Sequence, residues 1–142
     1  MNNIGVGTHI IILNLKGYVL LGKRKKKLGQ GEWELPGGHI EFQESFEDNL
    51  VRECKEELGI NVEVGNLTSV SPNMKYDNHY IVFTFIASSY KREPKLMEPD
   101  KHYEWKWFNL NSLPEPLFIS TRFALDNYLS KRIYQKRDFR VG

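Results

Sequence analysis

The chain has 142 residues, 40% of them apolar and 27% charged, with twenty Lys and Arg against eighteen Asp and Glu and a formal net charge of +2. This length suits a single domain, residues 1–142, with one core; the composition excludes a disordered chain, and no stretch approaches the roughly 20 apolar residues of a membrane span. A single cysteine, Cys54, excludes an internal disulfide framework and a cysteine-rich zinc site. No basic segment followed by an apolar run opens the sequence, so the cytoplasm is the expected location. The net charge is too mild to indicate nucleic-acid binding, although basic residues gather at 23–27 and 131–140 while 41–57 is acidic.

Taken in order, residues 6–13 form an isoleucine-rich run, followed by Asn14-Leu15-Lys16-Gly17 and a second apolar run at 18–21, which reads as two strands joined by a turn. The basic stretch and Gly29-Gln30-Gly31 form a loop, closed by Trp33-Glu34-Leu35-Pro36-Gly37-Gly38. Proline and paired glycines exclude a helix there and demand a shaped backbone. From Ser45 the apolar period changes to four, at Phe46, Leu50, Cys54 and Leu58. Ser45 is available as an N-cap and Gly59 as a stop, which predicts a helix over 46–58. Strands are expected at 61–64, 67–74 and 80–87, the last two joined by Lys75-Tyr76-Asp77-Asn78 as a hairpin, and a short strand at 105–108. Pro114-Glu115-Pro116 precedes a second helix over 117–131. The element order predicts an α/β fold, a mixed sheet with helices packed on it in an α/β/α layering. No repeat, low-complexity tract or linker interrupts it.

At 100° per residue, Glu53, Glu56 and Glu57 share one face of the first helix, next to the apolar stripe. Burying the stripe leaves three like charges at the rim of the core, where they repel. A divalent cation would relieve that conflict, and Mg2+ favours carboxylate oxygens combined with waters and substrate phosphate oxygens. The bland alternative is a solvated glutamate face tempered by Arg52 and Lys55.

The wider spacing narrows the choice. Gly38 is followed after five residues by Glu44, and after seven more by Arg52-Glu53-Cys54-Lys55-Glu56-Glu57-Leu58-Gly59-Ile60. This resembles the Nudix box, G-x5-E-x7-R-E-U-x-E-E-x-G-U with U apolar, and seven specified residues would coincide by chance less than roughly once in a million such chains. Only Cys54 departs from the usual aliphatic choice, and as a buried small residue it fits. Gly22-Lys23-Arg24, Leu35-Pro36-Gly37-Gly38-His39, Glu98-Pro99 and Trp105-Lys106-Trp107-Phe108 extend the resemblance to the MutT-related nucleoside triphosphate diphosphatases. Among these the chain is most similar to the animal branch acting on dGTP-like and oxidised or thio-substituted purine triphosphates.

That resemblance implies an α/β/α sandwich, Mg2+ as cofactor with Mn2+ as a substitute, and hydrolysis of a nucleoside triphosphate to a monophosphate and pyrophosphate. It implies Glu53 and Glu57 as direct metal ligands, Glu56 as a ligand directly or through water, and the Gly37 carbonyl as a backbone ligand. Glu98 is favoured over Asp100 and Glu104 as a further carboxylate. Glu53 is the first choice for activating water, and Glu44 and Arg52 orient the loop and the carboxylates. Arg24 stands where an arginine contacts phosphate; Gly38 and His39 follow on the glycine loop, with His39 able to meet phosphate or base or simply to pack. Thr8, Val82, Phe118, Ser120 and Thr121 are placed near the base, and Ser120 and Thr121 are more polar than the corresponding pair in the branch, which implies a different base preference. The branch is dimeric, with Phe108, Phe118 or Tyr128 as aromatics that could supply an interface. Two alternatives stand beside this one: cleavage of a nucleoside diphosphate derivative such as ADP-ribose or a nucleotide sugar, and a non-catalytic nucleotide- or RNA-binding module. Survival of all four box glutamates weighs against the last.

Overall fold

A computed structural model describes residues 2–140. Strands β1 (Gly5–Ile11) and β2 (Val19–Arg24) are joined by a turn in which the Asn14 side chain accepts from the Lys16 and Tyr18 amides, at 3.0 Å each. Their apolar residues alternate between layers. Ile10, Ile12 and Leu20 face one cluster with Leu50, Cys54 and Leu58 of helix α1 (Phe46–Leu58), while Ile11, Val19 and Leu21 face another with Ala124 and Leu125 of helix α2 (Ile119–Ser130). The two-residue period of a strand thus builds the α/β/α layering: the first helix takes one face and the second the other.

The predicted mixed sheet is divided in two. Strands β4 (Gly37–His39), β1, β6 (Tyr80–Lys91) and β5 (Asn61–Asn73) form a four-stranded sheet in that order, with β1 and β6 parallel and the other pairs antiparallel. Strands β3 (Trp33–Glu34), β2 and β7 (His102–Phe108) form an antiparallel three-stranded sheet. Which strands pair is decided by contacts distant in sequence, so periodicity carries no information about the division.

Helix α1 begins and ends where predicted. Ser45 Oγ accepts from the Asp48 amide at 3.0 Å, and Gly59 at φ 68° closes the helix onto the Cys54 and Lys55 carbonyls. Other boundaries differ. The two strands expected at 61–64 and 67–74 are one strand, β5, because Gly65-Asn66 forms a bulge against β6 rather than a break. The shaped loop at 33–38 contains the two short strands β3 and β4. The hairpin at 75–78 is a 3-10 turn, with Tyr76 and Asp77 both left-handed. Strand β7 starts at His102 instead of 105, since His102 pairs with Arg24. Helix α2 starts two residues late: Leu117 bridges to Trp33 and the Phe118 amide donates to the Trp33 carbonyl, which keeps 117–118 extended. No helix among the described residues is long and apolar enough to cross a membrane.

Candidate active site

The site forms where β4 lies along β1, with Thr8 opposite Gly38 and His9 opposite Gly37. Gly37 has φ 150°, and a Cβ there would penetrate the Thr8 carbonyl; a Cβ at Gly38 would penetrate the Glu53 carboxylate. The paired glycines let the backbone approach both β1 and α1 more closely than any other residue allows. At that approach the Gly37 amide donates to Glu57 Oε1 at 3.0 Å.

The α1 carboxylates sit in graded environments. Glu57 is only 3% exposed, and burial holds its carboxyl well above the usual range, with the negative charges of Glu34 and Glu53 acting in the same direction. Burial likewise raises Glu53, opposed by Arg52, whose Nη1 donates to Glu53 Oε1 at 2.7 Å. Glu56 lies at the rim, its side chain 49% exposed, 3.2 Å from the same guanidinium. Arg52 also donates to Glu44 at 2.7 and 3.1 Å. Those bonds, together with one from Asn49 and one from the Glu41 amide, hold the Glu44 carboxyl down at about 2. Asn49 in turn donates to the His39 carbonyl at 2.9 Å and accepts from the Thr8 hydroxyl. Glu44, Asn49 and Arg52 therefore tie the glycine loop to the helix.

Among the described residues, no three His, Cys, Asp or Glu side chains converge as a ready-made metal cage. Mg2+ does not need one, since it binds through one or two carboxylates and keeps several waters. Glu53 and Glu57 fit that requirement: two carboxylates crowded with Glu34 at a half-buried to buried position carry negative charge that a divalent cation would compensate. Glu98, Asp100 and Glu104 separate clearly. Glu98 lines the cavity beside these residues and pairs with Lys101 at 3.3 Å, whereas Asp100 and Glu104 are exposed and lie outside it.

The cavity has a volume of about 500 Å³. Glu53, Glu57, Gly37 and Gly38 line it, as do Thr8, Arg24, His39, Val82, Phe118 and Ser120, so most of the expected substrate residues come together there. Thr121 does not. It is fully buried, with Oγ1 accepting from the Leu35 amide at 2.9 Å, because adjacent residues on a helix point 100° apart and only Ser120 faces the cavity. Arg24 is present but engaged: it is 8% exposed, pairs with Glu34 at 2.6 Å, donates twice to the Leu28 carbonyl and lies over the Phe118 ring at 4.0 Å. The guanidinium fork expected to grip phosphate is thus committed to the protein. Lys26, Lys75 and Lys101 are the lysines on the cavity wall, with the side chains of Lys26 and Lys101 38% and 48% exposed.

Several lining residues escape sequence reasoning. Glu34 gathers Arg24, Lys26 and His102 around one buried carboxylate, with His102 Nε2 at 2.7 Å, and these interactions hold its carboxyl far below the usual range. Tyr76 donates from its hydroxyl to Glu32 at 3.0 Å, linking the β5–β6 turn to the loop before β3. Tyr80 stacks on His39 at 4.8 Å, which Gly5 permits by leaving the ring's path across β1 clear. His9, 7% exposed, meets Ser120 Oγ at 2.8 Å. The available signal for these was a polar residue inside an apolar strand, as with Thr8-His9 beside Ile10-Ile11-Ile12 and Glu34 between Trp33 and Leu35.

Burial pushes the His9 imidazole down from 6.5 to about 4. Below pH 6.5 the unfolded chain binds a proton that the folded chain refuses until about pH 4, so stability falls as pH drops through this window. We expect a loss of up to about 3 kcal/mol between pH 7 and 4 from this residue. Denaturant melts should show a pH slope there that His9→Asn flattens.

The NUDIX domain family matches residues 4–127 of the chain. An ADP-ribose pyrophosphatase of Methanocaldococcus jannaschii is 37% identical over 117 residues, which cover 81% of this chain and 68% of the relative. An NAD-capped RNA hydrolase of Pseudomonas putida is 31% identical over 131 residues, 90% of this chain but only 46% of the relative, so the chain spans about half of that protein. Among solved structures, a MutT NUDIX hydrolase from Burkholderia pseudomallei superposes with a TM-score of 0.84 at 36% identity, covering 89% of this chain and 98% of the other.

Proposed function

The chain belongs to the Nudix hydrolase family, and on that premise we propose that it cleaves the diphosphate linkage of a nucleoside triphosphate, releasing a nucleoside monophosphate and pyrophosphate. The observation that carries this reading is the pair of crowded carboxylates, Glu53 and Glu57, facing a cavity that Lys26 and Lys101 also line. A divalent cation held there, Mg2+ or Mn2+ in its place, would supply Lewis acidity and a bound water of lowered pKa. The chain's own groups do the rest. Lys26 and Lys101 attract the polyphosphate, Gly37 and Arg52 hold the carboxylates in position, and Glu53 takes the proton of the attacking water. The water oxygen forms the new P–O bond as the bridging oxygen leaves with the pyrophosphate.

This reading makes residues 1–142 one catalytic domain. It also includes a cytoplasmic setting, in which the lone buried thiol of Cys54 stays reduced. Similarity to the ADP-ribose pyrophosphatase favours a second reading, in which the group beyond the diphosphate is a ribose instead of a phosphate. The carboxylates and cations act on the same linkage in both, so the site chemistry is shared.

Product analysis separates the two. Purified protein with Mg2+ is offered a panel of nucleoside and deoxynucleoside triphosphates, ADP-ribose and nucleotide sugars, with pyrophosphate, orthophosphate and monophosphates quantified. Pyrophosphate from triphosphates supports the first reading. Turnover of ADP-ribose with none from any triphosphate replaces it with the second.

A further inference from the structure

The turn between β5 and β6 places Lys75, Tyr76 and Asn78 on the cavity wall, yet it does little to hold its own shape. Tyr76 and Asp77 are both left-handed, at φ 61° and 62°, a conformation that costs energy for residues with a Cβ and needs contacts from outside the turn to hold it. Tyr76 anchors one side by donating to Glu32 at 3.0 Å. Met74 anchors the other, packed in a cluster with Ile119, Phe123 and Phe139. Phe139 belongs to the C-terminal segment 132–140, which lies beyond the stretch matched by the family and contains no helix or strand. That segment is nonetheless held side chain by side chain. Asn127, 1% exposed, donates to Ser69 Oγ at 2.8 Å and to the Ile133 carbonyl at 3.1 Å, and accepts from Gln135 at 2.9 Å and Arg137 at 2.8 Å. Every hydrogen-bonding position of its amide is filled, three of the four by the C-terminal segment. The Val70 amide donates to the same Ile133 carbonyl at 2.9 Å, and Arg137 pairs with Asp126 at 2.9 Å and lies over the Phe123 ring at 4.8 Å. These contacts fix the segment in one register and bring Phe139 edge-on to Phe123, with ring centroids 5.4 Å apart.

We propose that residues 132–140 are a strap that keeps the 73–78 wall of the cavity formed, with Phe139 as the positioning residue acting through Met74. That role rests on the nucleotide reading above and adds to it what orders this wall before a nucleotide arrives. With the strap docked, the left-handed turn is held between Glu32 on one side and the Phe139 cluster on the other. Without the Phe139 ring, Met74 loses a buried neighbour and the turn is free to relax. A nucleotide must then reorder the wall as it binds, and that cost appears as weaker affinity. The chemical step is spared, because helix α1 packs in a separate core cluster that the strap does not touch.

The test compares the full chain with Phe139→Ala and Phe139→Leu, each kept well below its melting temperature so that every sample is folded. Calorimetry with AMP, GMP, CMP and UMP as probes should show the Kd of the monophosphate that binds best raised about tenfold in Phe139→Ala and restored to within about twofold of wild type in Phe139→Leu. Mg2+ affinity should be the same in all three proteins. Steady-state kinetics on whichever nucleotide is turned over should show the same rise in KM with kcat within about twofold, a split that a general loss of stability would not produce. In the wild type the methyl NMR signal of Met74 should shift when the monophosphate binds, a measurement that stands even where Phe139→Ala does not fold. Unchanged nucleotide affinity in folded Phe139→Ala, a parallel loss of Mg2+ and nucleotide affinity, or a Met74 methyl signal that ignores the nucleotide would each overturn the proposal. A wild-type chain that binds none of the four monophosphates would instead remove the nucleotide reading itself, and the strap's role with it.

Discussion

Glu53→Gln is expected to lower kcat by about 1,000-fold with little change in KM, because it removes the proposed proton acceptor and proposed metal-binding charge while keeping the shape of the side chain. Arg52 would still bond the amide oxygen, so the loop it shares with Glu44 stays in place. Glu57→Gln should be nearly as damaging to turnover, yet its effect on stability has the opposite sign. Glu57 is buried beside Glu34 and Glu53, and neutralising it relieves that repulsion while a glutamine oxygen still accepts from the Gly37 amide. We therefore expect the metal-free Glu57→Gln protein to be more stable than the parent by about 1 kcal/mol and much less active. Steady-state kinetics and denaturant melts without metal check the two halves separately. A loss of stability in the metal-free variant would contradict the like-charge account of this helix face.

Gly37→Ala is the second change with a large expected effect, and here the fold is the first casualty. At φ 150° a side chain is strained, and its Cβ would overlap the Thr8 carbonyl on the neighbouring strand. Backbone atoms cannot swing aside as a flexible side chain can, so β4 must separate from β1, breaking the Thr8–Gly38 and His9–Gly37 register. A destabilisation of about 3–5 kcal/mol follows, at the upper end of single-residue effects. In any folded fraction the residue 37 amide that donates to Glu57 would be displaced. By contrast Gly17→Ala, at φ 78° in the β1–β2 turn with open space around it, should cost only the backbone strain of about 1 kcal/mol. Comparable losses at the two positions would show that the β1–β4 approach is not what Gly37 serves.

What could be read from the sequence was whatever local pattern determines. Helix α1 was legible to the residue because its N-cap, apolar period and glycine stop all lie within fifteen positions and agree. Its carboxylate face was equally legible, since helical geometry alone places Glu53 and Glu57 together. Long-range pairing was not. Nothing near Gly65 indicates that Ile86 and Ser88 will run alongside it and turn an apparent break into a bulge, and nothing in β2 or β7 declares a separate sheet. The site divides along the same line. Thr8, Val82, Phe118 and Ser120 do line the cavity, but whether Ser120 or its neighbour Thr121 faces it depends on the rotation of α2 against Leu35. Arg24 occupies the expected place with its donors turned to Glu34 and Leu28, a commitment visible only when the loop folds back. His9 was missed because an isoleucine-rich strand reads as core, and its polar partner lies 111 residues away.

A divalent-cation site on the face of α1 bearing Glu53 and Glu57 would bind Mg2+ even without nucleotide. Calorimetric titration of Mg2+ into the wild-type chain, without nucleotide, and into the Glu53→Gln/Glu57→Gln double variant tests it most directly. Saturable binding in the wild type, weakened by more than about tenfold in the double variant, is the predicted result. Equal Mg2+ affinity in the two proteins would place the metal elsewhere and contradict the assignment.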